Sequence, residues 1–107
     1  MTREDILEAA AQVFSQKGFH GASMNDIADA VNLQKASLYH HVSSKQEILS
    51  EILDRALQLL LERISGITVQ NLPADKKLRL MIREYMQILA ENGDLATVLL
   101  FEHRALE

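Results

Sequence analysis

Cysteine is absent from this 107-residue chain, which excludes a disulfide framework, a Cys-based zinc site and a thiol nucleophile. Tryptophan is absent too, proline occurs once and glycine four times. No phosphate-cradling Gly loop, HExxH pair or Ser or Cys elbow occurs, so no catalytic residue, cofactor or metal site is expected and the chain does not read as an enzyme. No stretch approaches the roughly 18 apolar residues of a membrane span. The opening MTREDILEAA mixes charges of both signs instead of placing a basic segment before an apolar run, so no targeting segment is expected. These absences leave a soluble, cytoplasmic protein away from the membrane. Strand-like alternation is missing as well, with only Ile67, Thr68 and Val69 forming a short β-branched run.

What is present is helical periodicity. Apolar residues make up 48% and charged residues 24% of the chain, enough for one modest domain or a small head with part of a second. A first helix is predicted from about Arg3 to Lys17: Thr2 and Asp5 form a capping box, Ile6, Leu7, Ala10, Val13 and Phe14 recur at helical spacing, and Gly18 ends it. Phe14 and Phe19 read as core. Ser44 with Glu47 opens a long helix from Lys45 to about Ser65, with Ile48, Leu49, Ile52, Leu53, Ala56, Leu59, Leu60 and Ile64 as its stripe and Gly66 as its stop. A further helix follows from about Ala74 to Glu91, with Leu78, Met81, Ile82, Tyr85, Met86 and Leu89 on its apolar side and Asn92-Gly93 as its end. Asp94 caps a last segment, Leu95 to Leu106, whose LATVLLF is apolar nearly all round.

The stretch from Ser23 to Lys45 organises the rest. Ser23 and Asp26 make a second capping box, Ile27, Ala28 and Val31 form a buried stripe, Asn32 takes a tight turn and Leu33 plugs the space behind it. At 100° per residue, Leu38 and Val42 lie on one face of a helix spanning Lys35 to Val42, with Ala36 and His40 opposite; Lys35 and Tyr39 flank one side, Ser37 and His41 the other. An apolar anchor beneath small, cationic, aromatic and hydrogen-bonding side chains suits a helix lying in a DNA major groove. No carboxylate occurs between Asp29 and Glu47, whereas Lys35, Lys45, His40 and His41 all do. The net charge of −4 argues against nucleic acid, and residues 1–50 alone sum to −2. Placement outweighs that sum, because screening over about 10 Å makes the local pattern dominate; few phosphate contacts per head and dimeric binding follow. Lys45 at a helix N-terminus, beside free backbone donors, reads as a phosphate site.

In order and spacing, Gly18, Phe19, Ser23, Asp26, Ile27, Ala28, Leu33, Lys35, Leu38, Tyr39, His41 and Lys45 resemble the TetR/AcrR-type transcriptional regulators. The departures are Asn32 where that family usually has Gly, Gln34 where Ser would cap the recognition helix, Val42 for Phe and Ser43 for Pro. The resemblance implies an all-α fold: a three-helix helix-turn-helix head over residues 1–45, then a helical ligand-binding and dimerisation bundle over residues 46–107. It implies a homodimeric regulator, most often a repressor, that binds double-stranded operator DNA and is released by a small-molecule effector. Ala36 and Tyr39 match base-edge positions, His40 the variable groove position, and Ser37, His41 and Lys45 phosphate-contacting ones; Lys35 fits either role, and Ser23 is counted with the DNA-contacting set. Met81, Tyr85, Met86 and His103 are effector-site candidates. The family's bodies run longer than this chain, so the bundle reads as incomplete. LLFEHRALE is similar to the matching region of regulators of fatty-acid or acyl-CoA metabolism.

Two other readings compete. His40 and His41 as metal ligands lack a third ligand one turn away and point about 100° apart. A helical protein-interaction module would want apolar residues at 36 and 40, where the chain has Ala36 and His40.

Overall fold

The computed structural model describes residues 2–101, without the side chains of residues 95 and 99–101. Among the described residues six helices follow one another: α1 (Arg3–Lys17), α2 (Met24–Ala30), α3 (Lys35–Leu38), α4 (Lys45–Thr68), α5 (Ala74–Glu91) and α6 (Gly93–Phe101). No strand occurs among the described residues, and no helix there is long and apolar enough to cross a membrane. The expected continuation of the last segment to Leu106, and His103 with it, lies outside the described residues.

The first two helices start where their caps dictate. In α1 the Asp5 N–H donates to Thr2 Oγ1 at 3.2 Å while the Thr2 N–H donates to Asp5 Oδ2 at 3.0 Å. In α2 the Asp26 N–H donates to Ser23 Oγ at 3.1 Å and the Ser23 N–H to Asp26 Oδ2 at 2.9 Å. Each box satisfies N–H groups that the first turn leaves without partners. Gly18 closes α1 at φ 76. At Gly21 a Cβ would lie 2.5 Å from the Lys17 carbonyl oxygen, so this turn admits only glycine without a backbone shift.

Asn32 sits at φ 58, the left-handed conformation that a helix stop needs. Its N–H donates to Asp29 O at 3.2 Å and the Leu33 N–H to Ala28 O at 2.9 Å, a Schellman motif that lays Leu33 against the core.

The third helix is shorter than its sequence predicts. Instead of running from 35 to 42 it has four residues, and Gln34 gives it no side-chain cap. Beyond Leu38 the chain tightens: the His40 and His41 N–H groups donate three residues back, to Ser37 O at 3.2 Å and Leu38 O at 2.9 Å, before Val42 N–H returns to Leu38 O at 3.1 Å. An uncapped helix this short has no stability of its own, so its conformation follows the anchors. Leu38 and Val42 are both fully buried.

Those anchors meet Ile6, Ala10 and Phe14 of α1, Ile27 of α2, and Ile48, Leu49, Ile52 and Leu53 of α4 in one apolar cluster. The first two turns of α4 therefore belong to the core of the head. Val98 of α6 is fully buried in the same cluster, and Ser15 of α1 donates to Asp94 of α6 at 3.1 Å.

Two boundaries move, and one cap is only half made. Gly66 does not stop α4, which continues to Thr68: a glycine inside a helix costs only about 1 kcal/mol, and Ile67, one residue on, is buried. The short β-branched run is thus the end of a helix. Asn92 ends α5 after Glu91 as expected, leaving helical geometry at φ −129, ψ 59, but Gly93 opens α6 directly, before the expected Leu95, so Asp94 sits inside the first turn and not at the cap. The capping box expected at Ser44 and Glu47 is half made. The Glu47 N–H donates to Ser44 Oγ at 3.1 Å, but the Glu47 carboxylate accepts from the Ser43 N–H at 3.0 Å.

The apolar side of α5 is divided. Ile88 is buried, with Tyr85 and Leu89 half-buried near Ala56 and Leu60 of α4, whereas Leu78, Ile82 and Met86 are exposed. Arg63 of α4 ties the two helices by ion pairs to Glu84 at 3.3 Å and Glu91 at 3.1 Å.

Candidate nucleic-acid interface

The face expected of a groove-reading segment is present. Lys35, Ala36, Tyr39, His40 and His41 are exposed and Ser37 is half-buried, above the buried Leu38 and Val42. Tyr39, at 46% exposure, keeps almost half of its surface in solvent, an unusual position for an aromatic ring in so small a domain. Ser23 is exposed at the start of α2, with its hydroxyl accepting from Asp26.

Lys45 has a task that its sequence position did not reveal. Its ammonium donates to Phe19 O at 2.7 Å and Ala22 O at 2.9 Å, and it lies 4.4 Å from the centre of the Phe19 ring. It thus pins the α1–α2 turn to the start of α4, and a phosphate would meet only its remaining N–H. Charge-assisted bonds to the carbonyls of a turn stabilise a fold. Lys45→Met is expected to lose about 1–2 kcal/mol in urea denaturation; a variant as stable as the parent would mean the ammonium holds nothing.

Arg3 went unnoticed in the sequence beyond its charge. From the first turn of α1 its Nε donates to both carboxylate oxygens of Glu51 at 3.0 Å, its Nη2 to Glu47 at 2.6 Å, and its Nη1 to the His41 carbonyl. These partners lie 38 to 48 residues away in sequence, so no local pattern could have announced them.

Three carboxylates of the head are engaged. Lys17, joined by Ser23, holds Asp26 below the ordinary carboxylate value; the Ser43 hydroxyl and N–H, then Arg3, do the same for Glu47, and the Thr2 N–H for Asp5. Lowered native values contribute stability that is complete above the unfolded carboxylate range and is lost as pH falls through the native values. The melting temperature should accordingly hold from neutrality to about pH 5 and fall below about pH 4.5. A thermal scan that stays flat to about pH 3 would remove these three groups from the account of stability.

The effector candidates are not brought together. Tyr85 lines a narrow cleft of about 20 Å³ with Leu60, Ile88 and Ala96. Met81 is half-buried, Met86 is exposed, and neither lines that cleft. A larger cavity of about 320 Å³ opens between α1, α4 and the α5–α6 bend, floored by Leu7, Ala11 and Ile52 and rimmed by Glu8, Glu91 and Asp94; among the described candidates, Met81, Tyr85 and Met86 do not line it.

Residues 6–52 match the family model for bacterial regulatory proteins of the tetR family. The chain is 41% identical over 70 residues to the HTH-type transcriptional regulator UidR of Escherichia coli K12, a match covering 62% of this chain and 36% of that protein. It is 38% identical over 65 residues to the HTH-type transcriptional repressor KstR2 of Mycobacterium tuberculosis, covering 61% and 32%. Among solved structures it superposes on AibR, solved in complex with isovaleryl coenzyme A and operator DNA, with a TM-score of 0.87 and 30% identity over 98% of this chain and 57% of that one. The matched part therefore spans about a third of the curated relatives and somewhat over half of the solved chain.

The fold is that of an all-α helix-turn-helix protein whose relatives regulate transcription. Its head, over residues 6–52, is similar to the TetR family of bacterial regulatory proteins.

Proposed function

We propose that the chain is the operator-binding end of a transcriptional regulator, a repressor that acts as a homodimer in the cytoplasm and is released by a small-molecule effector. The DNA reading rests on the exposed face of Lys35, Ala36, Tyr39 and His40, carried by buried Leu38 and Val42 within a stretch free of carboxylates. On this reading Ala36 and Tyr39 meet base edges, His40 sets sequence preference, and Ser23, Ser37, His41 and the remaining N–H of Lys45 face phosphates. Lys35 serves base or backbone. The head, expected over residues 1–45, takes in the first two turns of α4 as well, and the rest of the chain acts as part of the regulatory body, in which Met81, Tyr85, Met86 and His103 remain the effector candidates. KstR2, a repressor, supports the sign of regulation, and AibR, which holds isovaleryl coenzyme A and operator DNA, supports coupling to a small molecule. Two copies are needed because a two-fold dimer sets recognition helices one DNA turn apart, about 34–36 Å.

Selection from random duplex DNA, followed by a salt titration of the winning site, tests this. A palindromic winner is expected, with a slope of about −0.9 per phosphate contacted. In His40→Ala, discrimination at one base pair of each half-site should fall by about 1–3 kcal/mol. A folded, helical chain that enriches no sequence would overturn the reading and favour a protein-interaction module.

A further inference from the structure

The exit of the recognition segment is gripped from two sides by groups that meet at Arg3. On one side the guanidinium takes the His41 carbonyl; on the other it takes Glu47 and Glu51, one turn apart on α4. Glu47 in turn accepts from the Ser43 N–H at 3.0 Å and from the Ser43 hydroxyl. Nε, Nη1 and Nη2 are all engaged, and the side chains of Arg3, Glu47 and Glu51 are only about a third exposed. A planar fork that fixes two carboxylates and a carbonyl at once sets angles as well as distances, which a point-charge ammonium cannot do.

Resting on the DNA reading above, we infer that Arg3 is a positioning residue for recognition: it locks the backbone at His41 to the first two turns of α4, so that the presentation of His40 and His41 follows the placement of α4. Between Leu38 and Ser43 the buried Val42 supplies an apolar anchor, and with no side-chain cap on α3 the Arg3 fork adds the polar contact that fixes the backbone at His41. A displacement of α4 would therefore reach the reading face through three polar side chains as well as through the apolar core that Leu38 and Val42 share with Ile48 and Leu49.

The test uses the whole chain and the variants Arg3→Lys and Arg3→Gln. In the free protein, backbone NMR should show the His41 carbonyl carbon and the Val42 and Ser43 amides shifting in Arg3→Lys, with the amides of α2 unchanged. Against the selected duplex, Arg3→Lys should lower affinity about tenfold, within the usual range for coupling between sites, while binding to random duplex and the salt slope stay at parent values. If Arg3→Lys binds like the parent and Arg3→Gln loses about 0.9 from the salt slope, Arg3 is a phosphate ligand and the inference falls. It falls equally if Arg3→Lys is merely less stable, with affinity per folded molecule and the signals at residues 41–43 unaltered. Should the parent bind no duplex, the DNA reading fails by itself, and the signals at 41–43 alone decide whether Arg3 holds the segment.

Discussion

Leu38→Ala should lose about 2–5 kcal/mol of stability and, with it, sequence-selective DNA binding. The side chain is fully buried and is one of two that seat a four-residue helix on the core. An isolated helix needs roughly 12–15 residues to persist in water, so α3 borrows its order from Leu38 and Val42. Losing one anchor leaves a cavity at the base of the segment and frees the exposed face to reorient. Binding should therefore fall further than the unfolded fraction accounts for. Leu38→Met, which nearly conserves volume, should cost less than about 1.5 kcal/mol and keep binding. Urea denaturation beside duplex titration separates the two effects. If Leu38→Ala loses less than about 1 kcal/mol and still selects the parent's site, α3 is ordered by something other than its anchors.

Phe14→Ala should be the most damaging single change, at about 3–5 kcal/mol. Phe14 is fully buried and meets Phe19 edge-on, with ring centroids 5.3 Å apart at 60°, a geometry that adds about 0.5–1.5 kcal/mol beyond burial. Phe19 also carries the Lys45 ammonium on its face, so loss of Phe14 loosens the turn that Lys45 pins. At the low end of the about 5–15 kcal/mol that holds a domain together, a loss of this size brings the chain near its unfolding midpoint. Circular dichroism through a urea series reads it directly, with Phe14→Leu losing less. A Phe14→Ala chain with a midpoint near the parent's would mean that α1 and the following turn are joined elsewhere.

The parts of the fold legible in the sequence are those governed by residues three or four apart. Thr2 with Asp5, Ser23 with Asp26, the turn at Asn32 and the anchors Leu38 and Val42 all act at that range, and each stands in the structure where its spacing puts it. The exposure of Ala36 and His40 opposite those anchors was legible for the same reason. Distant partners set what was missed. Lys45 finds carbonyls 23 and 26 residues back, and Arg3 reaches across to α4; neither choice leaves a mark on its neighbours. Gly66 misled because glycine signals a stop only when the next residue has no reason to stay helical, and Ile67 has one in its burial. The division of α5 followed from the same limit: a stripe of six apolar residues shows that a face exists, while which half meets Ala56 and Leu60 depends on where α4 lies.

The 24 residues of α4 form a rod about 36 Å long. A pivot of only about 5° at its Thr68 end would sweep the Lys45 end sideways by about 3 Å, the span of one hydrogen bond. Angular tolerance at one end thus becomes positional tolerance at the other. A body that bends by a few degrees would move a DNA-reading surface by as much as a base contact can tolerate.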